Sequence, residues 1–340
     1  MKFFKTLLRI LIITSAVFFA VSFFLIRRAP IQPPRAYGVT FAAFYAEEFG
    51  LDWKETYHAV LDDLGVRALR IPVYWNRVEP EQNRFSFDDL DWQVAEAKKR
   101  GATIVLVLGR KLPRWPECHE PEWARQLIGA KQSDEFNNKL LHYIQTTIER
   151  YRGESAVTMW QIENEPYLPF GDCKNYDSGM VDEEIALVKS LDSARPVMVT
   201  DSGELSLWVK AARRSDVFGS TMYRTVHNKI FGTITYPLPP SFFRLKHSIT
   251  ELVVGKKPMI IVELQGEPWS REATPKLTID DHYETMNPET FQKILRYSSR
   301  TGFDTFYLWG VEWWYWLKTT QNDSRMWEIA KEVIAKTQDN

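Results

Sequence analysis

The heptapeptide WQIENEP, residues 160–166, sets Glu163, Asn164 and Glu165 directly after an apolar run. A carboxylate at the end of a buried run is costly to desolvate unless it is paired or used. A second stretch, IIVELQGEPW (260–269), carries Glu263 at the end of its apolar part and Glu267 in the turn beyond. Two carboxylates opposed across roughly 5 Å can displace a group at a glycosidic carbon with retention. One attacks; the other protonates the leaving oxygen and later activates water. Glu165 and Glu263 suit those parts, with Glu267 as the rival for the second and Glu163 reading as a structural rim residue. Arg70, in LRIPVYW (69–75), is the partner such a pair needs. A guanidinium holds a neighbouring carboxylate charged, and that charge raises the pKa of a second carboxyl facing it.

These residues must be held by something, and the chain alternates short apolar runs with segments of helical period. The strand-like runs are YGVTFAAF (37–44), VRALRIP (66–72), TIVLVLG (103–109), AVTMWQIE (156–163), RPVMVT (195–200), DVFGSTMY (216–223), PMIIVEL (258–264) and DTFYLWG (304–310). Most are apolar on both faces, as parallel strands covered by helices must be. Between them lie amphipathic stretches with N-caps expected at Asp52, Ser86 and Ser133, each stopping at or near a glycine. Eight such units in about 300 residues predict an α/β fold, the (β/α)8 TIM barrel. The runner-up is a doubly wound open sheet, disfavoured because FAAFYAEEFG after the first run is not a glycine-rich phosphate turn. In a barrel the site collects at the C-terminal ends of the strands, which is where Arg70, Glu163–Glu165, Tyr223, Glu263 and Trp309 fall. Strands four and seven are expected on opposite sides of the mouth.

The N-terminus differs. Lys2, Lys5 and Arg9 precede an apolar run over residues 10–26, and Arg27 and Arg28 close it. As a helix this run spans about 25 Å, the short end of what crosses a bilayer. FFLIRRAP makes a poor cleavage site, so residues 1–28 read as an uncleaved signal-anchor, a single N-terminal transmembrane helix, with secretion after signal cleavage as the alternative. Residues 29–36 read as a Pro-rich linker and 37–340 as the barrel domain. The expected location is a membrane-anchored barrel outside the cytoplasm, at the cell surface or in a periplasm. The whole chain carries net charge −1. Without the five N-terminal cations, 38 basic residues face 44 acidic ones, leaving the body at −6 and no basic stripe for nucleic acid.

The NEP tripeptide ending run four, with a glutamate ending run seven, resembles the clan A (β/α)8 retaining glycoside hydrolases, which include cellulases, β-mannanases, β-galactosidases and β-xylosidases. The resemblance covers the body from about Tyr37 to the last helix. It implies Glu165 as acid/base, Glu263 as nucleophile, Asn164 as a contact to the sugar 2-hydroxyl, Arg70 as the group steadying the nucleophile, Tyr223 as a further contact and Trp309 as a sugar platform. The clan often has a histidine near strand three. This chain has LGRKLPRW there, so such contacts would come from Arg110 or Lys111. From VEWWYW (311–316), Trp313 and its neighbours Trp314 and Trp316 are candidates for the subsite beyond the cleaved bond; Trp75 and Trp115 are weaker platform candidates.

The expected partner is a β-linked oligo- or polysaccharide. The six histidines include neither HxH at the first strand nor HExxH, which argues against a metal hydrolase; no metal or cofactor is expected. No lysine ends an apolar run, which argues against a Schiff-base aldolase. Cys118 and Cys173 fall in loops on one rim and can form a disulfide outside the cytoplasm. The competing function is a catalytically inactive barrel that binds glycan as a membrane-anchored receptor or adhesin, which would need the aromatics but not both carboxylates.

Overall fold

The computed structural model describes residues 34–173, 177–228, 232–270 and 272–338, together with a few positions between 6 and 17. Most of the membrane anchor expected over 10–26, and most of the linker, therefore lie outside the described residues. Among the described residues no helix is long and apolar enough to cross a membrane.

All eight runs form strands. They are β1 (Ala36–Thr40), β2 (Ala68–Pro72), β3 (Thr103–Leu108), β4 (Val157–Ile162), β5 (Val197–Asp201) and β6 (Val217–Met222). A two-stranded antiparallel excursion follows, β7 (Thr225–Asn228) and β8 (Gly232–Thr235), then β9 (Met259–Gln265) and β10 (Thr305–Trp309). The eight long-range strands close into a parallel barrel in the order β1-β10-β9-β6-β5-β4-β3-β2. The open sheet is thereby excluded.

Alternation along the strands sorts the core into two shells. Val105, Met198, Ile260, Val262 and Tyr307 pack together inside the barrel. Ile104, Leu106, Val197, Val199, Ile261 and Phe306 face outward into the layer shared with the helices. Helices enter where the chain supplies caps: the Asp52 carboxylate accepts from the Lys54 and Glu55 amides at 2.8 and 3.2 Å. Ser86 and Ser133 do not cap. Those helices, Asp88–Lys99 and Ser133–Tyr151, instead start one residue after the positions Phe87 and Gln132, with acidic residues in the first turn that suit the helix dipole. The first strand stops at Thr40, and residues expected to continue it form the helix Ala43–Glu48. Its alanines and aromatics are compatible with either state, and packing against the neighbouring helix Trp53–Asp62 decides.

Two irregularities bear on the site. Between Ile261 and Leu264, β9 holds three steps where β10 holds two, Phe306 to Leu308. Against β6 the same segment passes from Ile261–Ser220 to Glu263–Thr221. This is a β-bulge, one extra residue on β9. Plain alternation would send Glu263 outward with Ile261; the bulge turns it to the mouth. At the end of β4, Glu163 and Glu165 both have positive φ, 57° and 46°. Non-glycine residues rarely adopt this conformation, and where it persists it is held by surrounding structure.

Candidate active site

Arg70 is completely buried in the middle of β2 and spends its guanidinium on partners from β1, β9 and the end of β4. Nη1 donates to Glu263 Oε1 at 2.7 Å, Nη2 to Asn164 Oδ1 at 2.9 Å and Nε to Gln161 Oε1 at 2.8 Å, with longer contacts to Thr40 Oγ1 and the Val262 carbonyl. A buried arginine without such partners would be prohibitively costly. The second Glu263 oxygen, Oε2, accepts from the Tyr223 hydroxyl at 2.8 Å. Both oxygens of Glu263 are thus held, and its plane is set.

Glu165 reaches the same mouth from β4. Its Oε1 accepts from Thr221 Oγ1 at 2.9 Å, and Thr221 is the residue paired across the sheet with Glu263. Its amide donates to Thr200 Oγ1 at 2.9 Å, while Lys111 Nζ donates to its carbonyl at 3.0 Å and to that of Leu168 at 2.8 Å. Burial, and after it the negative charge of Glu263, raise the Glu165 pKa to about 7. The two glutamates come from strands separated by β5 and β6, three steps round the ring rather than diametrically opposed.

The alternating conformation at 163–165 aims three adjacent side chains in three directions. Glu163 turns away from the mouth and accepts from the Arg110 and Lys111 amides at 2.7 and 2.6 Å. It also bonds to the buried Glu184, and burial raises both carboxyls, Glu163 to about 7. Gly109, at φ 130°, makes room: a Cβ there would lie 2.5 Å from Glu163 Oε1. The structural reading of Glu163 agrees with this geometry. Glu267 is likewise engaged elsewhere. It pairs with Arg114, accepts from Trp309 Nε1 at 2.7 Å, and is raised by burial to about 7. Arg114 also bonds Glu312 at 2.7 Å and stacks on Tyr45 and Trp309, so this cluster ties the loops after β3, β9 and β10 together.

The sequence-predicted set divides accordingly. Glu165, Glu263, Asn164, Arg70 and Tyr223 converge. Trp309 lies at the edge of the group, nearly buried against Arg114. Trp75 and Trp313 do not converge on it. Trp75 is wholly buried, stacked on Tyr143 and bonded through Nε1 to Glu79, and Trp313 is wholly buried with Nε1 on His282 Nδ1. Neither has a face left for a ligand, because both rings fill the layer between barrel and helices. Trp314 is equally buried. Arg110 and Lys111 are buried too, Arg110 with Glu120 and Lys111 on the carbonyls described above, so neither supplies the third-strand sugar contact expected of them.

Glu117, which nothing in the sequence singled out, joins the group from that region instead. It lies in the loop after β3, and its Oε2 accepts from Asn164 Nδ2 at 3.2 Å. Arg70 can only donate, so Asn164 presents its oxygen to Arg70 and its NH2 group to Glu117. Burial, opposed by nearby Lys111 and reinforced by Glu165 and Glu263, pushes the Glu117 carboxyl well above the ordinary range. Gly171, at φ 93°, packs on it so closely that a Cβ would stand 2.5 Å from the Glu117 Cβ. The next residue, Cys118, forms the expected disulfide with Cys173, with Cα atoms 5.2 Å apart. Thr221 and Gln161 were also missed, since a threonine or glutamine within an apolar run carries no mark of its partners.

Among the described residues no group of three or more His, Cys, Asp or Glu is arranged to hold a metal ion.

Comparison with known proteins agrees with the fold. A family of glycoside hydrolases described as beta-galactosidase matches residues 44–178. Mannan endo-1,4-beta-mannosidase 1 of Solanum lycopersicum is 28% identical over 180 residues, 48% of this chain and 43% of that protein. The chain spans less than half the length of the curated relatives it matches first. Among solved structures, the β-galactosidase of Rahnella sp. R3 superimposes with TM-score 0.61 at 12% identity, covering 91% of this chain and 58% of that one. The endo-1,4-beta-D-mannanase of Thermotoga petrophila RKU-1 gives 0.53 at 18% identity, covering 81% and 88%. At these identities the structural likeness speaks to the fold alone.

Proposed function

We propose that this chain, which fits the clan A (β/α)8 glycoside hydrolases, is a retaining glycosidase that cleaves β-linked glycans by double displacement. The observation that carries the reading is the paired treatment of two glutamates at one mouth. Glu263 is held on one oxygen by Arg70 and on the other by Tyr223, while Glu165 beside it is raised to about 7 by burial and by the Glu263 charge.

In the first step Glu263 attacks the anomeric carbon and the bond to the leaving oxygen breaks. Glu165 gives its proton to that oxygen, so the departing sugar leaves neutral. In the second step Glu165, now a carboxylate, takes a proton from water. The resulting hydroxide attacks the same carbon, breaks the ester to Glu263 and regenerates both groups. Arg70 counters the charge that returns to Glu263, and Tyr223 orients the attacking oxygen. The oxocarbenium-like transition state carries positive charge, which a carboxylate-rich mouth stabilises.

The test is covalent. Incubation with activated 2-deoxy-2-fluoro β-glycosides should add one sugar mass to the peptide bearing Glu263. A label on Glu267, or a chain that no glycoside of a broad panel labels, contradicts the assignment.

We also infer that the barrel lies outside the cytoplasm, membrane-anchored through residues 10–26. The apolar run between cationic flanks and the Cys118–Cys173 disulfide support this reading. Release of the native protein from membranes by salt alone would argue against the anchor.

A further inference from the structure

A row of four aromatic rings leaves the nucleophile and runs to the outer rim. Tyr223, bonded to Glu263, meets Trp269 edge-on at 4.9 Å between centroids, Trp269 meets Phe170 at 5.7 Å, and Phe170 meets Trp115 at 6.3 Å. The rings come from the end of β6 and from the loops after β9, β4 and β3, so the row crosses the mouth from one side to the other. Exposure rises outward: Tyr223 and Trp269 are half-buried, Phe170 is 37% exposed and Trp115 63%. Large aromatics left open in series are unusual on a monomer surface unless something covers them. The disulfide joins the two loops that carry the outer pair and holds them in register.

We propose that this row is the wall on which the sugar chain beyond the cleaved bond stacks, making the enzyme one that takes β-linked chains longer than a disaccharide. The inference rests on the glycosidase reading above and names its substrate class. Phe170 and Glu165 share the loop after β4, five residues apart, and on that ground the row is assigned to the side of the departing group. Successive ring-to-ring steps of 4.9–6.3 Å suit a series of pyranose rings. A hexose offers a C–H-rich face to an aromatic ring, and its hydroxyls stay in water at an open wall. The buried tryptophans Trp313 and Trp314 cannot fill this part.

The experiment measures binding, so it does not depend on turnover. Affinities of di- to hexasaccharides from β-1,4-mannan and β-1,4-galactan are compared in Glu165→Gln, alone and combined with Trp115→Ala or Phe170→Ala. Trp115 is mostly in solvent, so its replacement leaves the core intact. The expected result is affinity that rises with chain length in Glu165→Gln and falls about tenfold for the longest chains, ~1.4 kcal/mol, when Trp115 or Phe170 is removed, with disaccharide binding unchanged. Affinity independent of chain length, or unaltered by both replacements, overturns the proposal. So does affinity that grows with the alkyl length of alkyl β-glycosides instead, which would make the row an apolar aglycone site. Length-dependent binding in a protein whose Glu263 is never labelled would keep the wall and discard the hydrolase.

Discussion

Glu165 accepts one side-chain hydrogen bond, from a neutral hydroxyl, whereas Glu263 takes an arginine on one oxygen and a tyrosine on the other. Two identical side chains are thereby given different work. A general acid must carry its proton, and Glu165, raised to about 7, loses it as pH rises. The expected kcat/KM therefore falls on the alkaline side with an apparent pKa near 7, and this limb disappears in Glu165→Gln. The same variant should lose roughly 10²–10⁴-fold in rate on glycosides with poor leaving groups and much less in the first step with activated aryl glycosides. A pH–rate series on both substrate types checks this, and equal slowing with an unchanged alkaline limb would remove Glu165 from the role of acid. Both glutamates, Asn164 and Arg70 were legible from residue type and position. Glu117 was not, because a lone glutamate in a polar loop looks solvated until the fold brings Asn164 to it.

The loops carry more of the site's geometry than the strands do. The bulge in β9 turns Glu263 inward, the positive φ angles at 163 and 165 part the three ENE side chains, and Arg114 clamps three loops. The loops after β3 and β4 are further tied by Cys118–Cys173, which closes 55 residues. Constraining so long a loop in the unfolded chain stabilises the native state by about 2–4 kcal/mol. Denaturant unfolding of the Cys118→Ser/Cys173→Ser double variant should show a lower midpoint and an unfolding free energy reduced by that amount. An unchanged midpoint would mean that the link adds nothing to the barrel's own stability. At this level the eight strands were readable from their apolar runs, since a parallel strand covered on both faces has few other compositions. The excursion β7–β8 was not, because TVHN and GTIT are too short and too polar to signal pairing.

Across the whole barrel, burial has raised a set of carboxyls at the C-terminal end: Glu163, Glu165 and Glu267 to about 7 and Glu204 to about 8. A group whose folded pKa exceeds its unfolded one contributes stability at low pH that is lost as pH climbs through the folded value. The buried histidines act in the opposite sense. His119, lowered to about 4 by burial, favours folding increasingly as pH rises towards 6.5. Between about pH 6.5 and 8 the carboxyls dominate, because buried Lys246, lowered to about 8, opposes them only at the top of the interval, so thermal stability should decline from pH 6.5 towards 8. Calorimetric scans at fixed ionic strength check the sign, and a Tm that rises from pH 6.5 to 8 would show that these carboxyls are not strained in the folded state.

Sequence alone marked the parallel barrel, its eight strands and the polar residues Glu165, Glu263, Arg70, Asn164 and Tyr223 that meet at its mouth, through apolar patterning and polar residues in or ending apolar runs, and it offered the cysteine pair from its place in two loops of one rim. It also suggested Trp75 and Trp313 as ligand contacts, and there it had no means to decide. A tryptophan's type says that its ring will be covered, but not whether protein or sugar covers it. Only the folded chain answers that, by burying those two and leaving Trp115 exposed, in a row with Phe170 and the half-buried Trp269. The same holds for Glu263. One extra residue in β9 reverses the face of every side chain beyond it, and that residue is visible only once the neighbouring strands are in place to be out of step with it.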